Sequence, residues 1–108
     1  MLGTASIALP GAAYAADQAL VEKGKKVAEN RKKGNCVACH QYQGAVSPGN
    51  MGPPLVAMKA RYPDKAKLRA QIHDATAANP NTVMPPFGKY EILSSDDIDA
   101  IAEWVYTL

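Results

Sequence analysis

The 108-residue sequence predicts a single, all-helical domain. Three observations predict it: apolar residues recur at three- and four-residue steps toward both ends, no stretch alternates like a strand, and paired prolines and glycines break the segments between. So short a chain buries only a modest core and usually needs a staple. Aromatic residues make up only 6% of it, which fits a core completed by a bound group.

Residues 1–16 carry no charge, are rich in alanine and end in Ala13-Tyr14-Ala15-Ala16, an A-x-A-like cleavage pattern. They read as a signal-peptide-like or disordered segment, although the apolar run Leu2 to Leu9 is short and no Lys or Arg precedes it. Export is the expectation, and residues 17–108 form the domain. Asp17 to about Asn30 reads as the first helix, capped by Asp17, with Leu20, Val21, Gly24, Val27 and Ala28 in helical phase. Gly24 weakens a helix and is expected where another helix comes close. Asn35 to Tyr42 reads as a short helical turn, and residues 43–54 as a loop. A short helix is expected over Leu55 to Arg61, ended by Tyr62-Pro63. Asp64 then caps a longer one with Leu68, Ile72 and Ala75 on one face. Residues 78–89 form a second proline-rich loop. Ser94 and Asp97 suit a capping box at the start of the last helix, whose stripe is Ile98, Ile101, Ala102, Val105 and Leu108.

Chemistry concentrates in Cys36-Val37-Ala38-Cys39-His40. This C-x-x-C-H spacing sets two thiols where they can form thioethers to the two vinyl groups of a haem, with the histidine placed as an axial ligand to the iron. The same residues could serve as a redox dithiol or as half a zinc site. The first wants a βαβ context, and the second wants four ligands where the chain offers no third Cys.

The opposite face of the iron has four candidates: Met51, Met58, His73 and Met84. Met58 lies in phase with Leu55 and reads as core, a usual place for methionine. Met51 is too close in sequence to His40, and His73 reads as a surface or capping residue. Met84 is the choice, because it lies 84 − 40 = 44 residues after His40 and precedes Pro85-Pro86, which hold it extended before binding. Pro53 is assigned a supporting task. A ligand histidine normally donates its second N–H to a carbonyl, and one in Gly52-Pro53-Pro54 is rigidly held.

The order C-x-x-C-H, Gly-Pro-Pro-Leu, Met in a proline loop, then an aromatic-bearing last helix resembles class I cytochromes c. The resemblance implies a cytochrome c-like fold around one covalently bound haem c, with the Pro53 carbonyl on the haem histidine. It also implies a helix crossing of Gly24 against Trp104. A narrower resemblance rests on Arg61-Tyr62-Pro63-Asp64-Lys65 and Met84-Pro85-Pro86-Phe87-Gly88, which look like the SoxX family. These are monohaem subunits of periplasmic SoxAX complexes, L-cysteine S-thiosulfotransferases that join thiosulfate oxidatively to a carrier-protein cysteine. That resemblance implies a non-catalytic electron-transfer subunit, a SoxA-like haem partner and a small acceptor cytochrome.

Three rivals stand beside it: a free electron carrier, a haem enzyme or gas sensor lacking a firm sixth ligand, and a thiol or zinc protein. For the free carrier, Lys23, Lys25, Lys26, Arg31, Lys32 and Lys33 would steer an acidic partner, although Glu22 and Glu29 interrupt them. An exposed apolar patch including Val46 or Phe87 would favour a stable subunit instead. Propionate contacts have Arg61, Lys59 and Asn79 as candidates. The net charge of +2 gives no ground for nucleic-acid binding, and no segment is long and apolar enough to suggest membrane insertion.

Overall fold

The structure, a computed structural model, describes residues 18–108. The signal-like segment 1–16 and the expected cap Asp17 lie outside the described residues. Among those described there is no strand. Four α-helices are present: α1 (18–29), α2 (Met58–Arg61), α3 (Lys65–His73) and α4 (Ser95–Val105). Single 3-10 turns cover Cys36–Ala38 and Ala75–Ala77. The all-helical expectation holds, and no helix among the described residues is long and apolar enough to cross a membrane.

The core is built on α4. Ile98, Ile101, Ala102 and Val105 repeat at helical spacing and are all buried, together with Ala100 and Trp104. Ser94 Oγ accepts from the Asp97 amide at 3.1 Å, the forward half of the expected capping box. The Asp97 carboxylate turns instead toward Lys23 at 3.9 Å and Lys33 at 3.6 Å, tying the start of α4 to α1 and the turn after it. Exposed pairs of this kind contribute at most about 1 kcal/mol each.

Helix α1 meets α4 at Gly24. A Cβ placed there would overlap the carbonyl group of Ala100, so two backbones touch at this point. Trp104 lies one turn further on, and its ring meets Tyr42 edge-to-face, with centroids 4.9 Å apart and planes at 87°.

Helix α3 starts as its sequence indicates, with Asp64 Oδ1 accepting from the Ala66 amide at 2.9 Å. Leu68 and Ile72 bury its inner face against α4, and Ala75 is buried just beyond its end. Lys65–Glu103, at 2.5 Å, and Arg69–Asp99 bridge the two helices on the outside. Asp74 caps the next turn, and the Thr76 hydroxyl holds its carboxyl below the usual range.

Helix α2 is shorter than expected, because Ala57 takes a left-handed conformation (φ 51°) and starts the helix only at Met58. For a residue with a Cβ, that conformation costs about 1–2 kcal/mol. The chain end holds this region in place: Met58 N donates to Leu108 O at 3.0 Å, and Tyr106 OH to Pro63 O at 3.1 Å.

Gly24→Ala is expected to destabilise the fold by at least about 1–3 kcal/mol, since a backbone carbonyl cannot swing aside as a side chain can. Chemical unfolding of the matured protein checks this, and an unchanged midpoint would mean that the two helices do not touch there.

Candidate functional site

Four of the five residues singled out by sequence lie in one backbone unit. Cys36 and Cys39 bracket a single 3-10 turn, closed by Cys39 N to Cys36 O at 3.2 Å, and His40 N adds a bond of α-helical span to the same Cys36 O at 2.9 Å. Asn35 opens it in the left-handed region (φ 49°), which asparagine tolerates well. Both cysteines are free thiols and half-buried. Burial pushes the Cys36 thiol up to about 11.

The loop after His40 folds back along this turn. Gly49 N donates to Val37 O at 2.9 Å, Gly52 N to Cys39 O at 2.8 Å, and Leu55 N to Gln41 O at 2.8 Å. The approach is close: a Cβ on Gly49 would overlap the Ala38 carbonyl, and one on Gly52 would lie 2.5 Å from Cε1 of His40. Within the bracket, His40 Nδ1 sits 2.7 Å from the Pro53 carbonyl oxygen, as the second N–H of a ligand histidine would. A carbonyl only accepts, so Nδ1 carries the proton and Nε2 keeps its lone pair.

Tyr42 anchors the same segment. Its hydroxyl donates to Glu29 Oε2 on α1 at 2.7 Å. Burial first, then the Glu29 carboxylate, hold the phenol well above its usual range, so it stays a neutral donor. In the sequence, Glu29 reads only as an interruption of the lysine run. Arg61 was also missed in its actual role. Its guanidinium grips the carbonyls of Pro54 at 2.8 Å and Val56 at 3.2 Å, and the signal available was a cation close after two prolines.

Met84, the fifth residue, is half-buried and packs against the same core cluster as Cys36. Its loop is pinned away from it in sequence, by Gly88 N and Lys89 N donating to His73 O at 2.9 and 3.1 Å. His73 is exposed, and its ring lies so close to Gly88 that a Cβ there would overlap it. Met58 is core at 2% exposure, and Met51 is 70% exposed. Phe87 does not belong to an exposed patch, as it was expected to, because it is buried in the core. The exposed apolar side chains Val46, Met51, Val56 and Val83 fall on the stretches flanking Pro53 and Met84.

This donor set fits a haem. It offers two thiols at vinyl spacing, an imidazole with a free Nε2, a thioether on a stiff loop, and apolar loop surface for a ring to cover. It does not fit the thiol or zinc rival. Among the described residues, no three His, Cys, Asp or Glu side chains group to hold a metal ion. The Cys36 thiol is also shifted upward, whereas a reactive dithiol is shifted downward.

Comparison with known proteins agrees. A family model described as cytochrome c oxidase, cbb3-type, subunit III, matches residues 19–105. Cytochrome c-552 of Nitrosomonas europaea is 33% identical over 86 residues, covering 75% of this chain and 77% of that protein.

Gly52→Ala is expected to displace the His40 ring and lower stability by roughly 1–3 kcal/mol, the range for forcing a methyl into a filled space. Denaturant unfolding followed by tryptophan fluorescence reads this. A variant as stable as the parent would show that the ring does not lie against Gly52.

Proposed function

We propose that this chain, which belongs to the c-type cytochrome family of that model and is an electron-transfer protein with covalently bound haem c, holds one such haem: Cys36 and Cys39 would carry the thioethers, and His40 and Met84 would hold the iron. The observation that carries this reading is the 2.7 Å approach of His40 Nδ1 to the Pro53 carbonyl. It fixes the orientation of the ring and turns Nε2 away from Pro53 as the ligating nitrogen. When bound, the haem supplies an iron that changes reversibly by one electron, and thioether ligation favours its ferrous state.

The remaining work belongs to the polypeptide. Pro85 and Pro86 keep Met84 extended, so little conformational freedom is lost when its sulfur is engaged. Glu29, Tyr42 and Trp104 hold the segment beyond His40 against α1 and α4. With His40 and Met84 both holding the iron, the site would need little rearrangement as charge changes and would leave no position open to a substrate. That argues for a carrier of electrons over an enzyme or gas sensor.

The finer reading is a periplasmic, SoxX-type subunit beside a SoxA-like haem protein, delivering electrons to a small acceptor cytochrome. Its support is the Arg61–Lys65 and Met84–Gly88 segments together with the exposed Val46, Met51, Val56 and Val83, which suit a lasting interface. A free carrier is the second reading. Because Glu29 turns in to Tyr42, it no longer breaks the exposed run of Lys25, Lys26, Arg31 and Lys32.

Two experiments test these levels. Met84→Ala is expected to lose the weak far-red band of oxidised iron bound to sulfur and to bind carbon monoxide when reduced, whereas the parent protein is expected to keep the band and not to bind it. A band that survives the substitution removes Met84 as ligand. Untagged purification from the native host is expected to recover a second, larger haem subunit, whereas a clean monomer favours the free carrier.

A further inference from the structure

The segment that orients His40 has an unusual weakness. Pro53 and Pro54 have no backbone N–H, so between Gly52 N and Leu55 N it has no amide with which to hold itself in place. Its anchoring passes to its carbonyls. Pro53 O accepts from His40 Nδ1 at 2.7 Å, which is the interaction to be held and cannot also be the holder. The neighbouring Pro54 O, one peptide unit on, accepts from Arg61 Nη1 at 2.8 Å. The same Nη1 reaches Val56 O at 3.2 Å and Met58 Sδ at 3.4 Å, spanning the strained left-handed turn at Ala57.

We propose that Arg61 is a positioning residue for the haem histidine, acting through the Pro53–Pro54 backbone and not through a contact with a haem propionate. Arg61 sits on α2, whose first residue is tied to the chain end through Met58 N and Leu108 O. Its guanidinium therefore carries the position of a fixed helix onto a carbonyl adjacent to the one that accepts from His40. Loosening that grip lets the Pro53 carbonyl move off Nδ1. The imidazole then becomes a weaker donor, ferric iron is less stabilised, and the midpoint potential rises. Plain removal of a nearby positive charge acts in the opposite sense, because a cation disfavours the ferric state. A variant that keeps the charge therefore separates positioning from charge.

The inference rests on His40 being the axial imidazole. The test uses the matured protein with isotope-labelled histidine, reduced so that it is diamagnetic, and follows exchange of the His40 Nδ1 proton with solvent by NMR. Arg61→Met is expected to speed that exchange about tenfold, the factor matching loss of one ordinary hydrogen bond. Arg61→Lys, which keeps the charge on a shorter arm with no planar fork, is expected to speed exchange by less and, with no charge lost, to raise the midpoint potential. It also serves should the methionine variant fail to fold. Unchanged exchange in folded variants, judged by an intact far-red band, overturns the role of Arg61, as does an unchanged or lowered potential in Arg61→Lys. A parent protein with no protected Nδ1 proton at His40 overturns the ligand reading itself, and the inference with it.

Discussion

A single hydrogen bond, from His40 Nδ1 to the carbonyl of Pro53, organises the rest of the site. By itself it is worth only about 0.5–1.5 kcal/mol. Its effect is larger than its energy, because it decides which ring nitrogen has a lone pair and in which direction it points. To make it, the chain needs glycine at 49 and 52 so that two backbones can pass in contact, and it needs the 49–55 loop paired with 37–41. Proline supplies an acceptor that no helix or turn competes for.

The helices serve this arrangement by fixing its ends. The crossing of α1 and α4 at Gly24 brings together the segments that carry Glu29 and Trp104, which grip Tyr42 by its hydroxyl and its ring. Helix α2, tied to Leu108, holds the far end of the proline loop through Arg61. The second proline loop is pinned to the carbonyl of His73, which frees Met84 to lie against the core. Electron transfer benefits from such rigidity, because a site that barely moves between charge states has little to reorganise.

Much of this was legible in the sequence, for definite physical reasons. Helical phase and caps are local, so the stripe of α4 and the roles of Asp64 and Ser94 could be read directly. The Pro53 acceptor was readable because a ligand histidine needs a second-nitrogen partner and a Gly-Pro-Pro segment has a carbonyl to spare. Contacts between distant segments were not readable. Gly24 announced a close approach, but only the fold shows that Ala100 meets it, with Trp104 turned to Tyr42. Phe87 follows two prolines and looked like a surface residue, yet Leu93 N bonds to its carbonyl and its ring is core. The left-handed Ala57, which shortens α2, violates the preference of its residue type and gave no signal.

The central claim is that one iron is held between His40 and Met84 in a single covalently attached haem. The most direct measurement is a crystal structure of the matured protein with an anomalous map recorded at the iron edge. The account predicts one iron peak, with Nε2 of His40 on one side and Sδ of Met84 on the other. Two peaks, no peak, or a peak whose second ligand is His73, Met51 or solvent would contradict it.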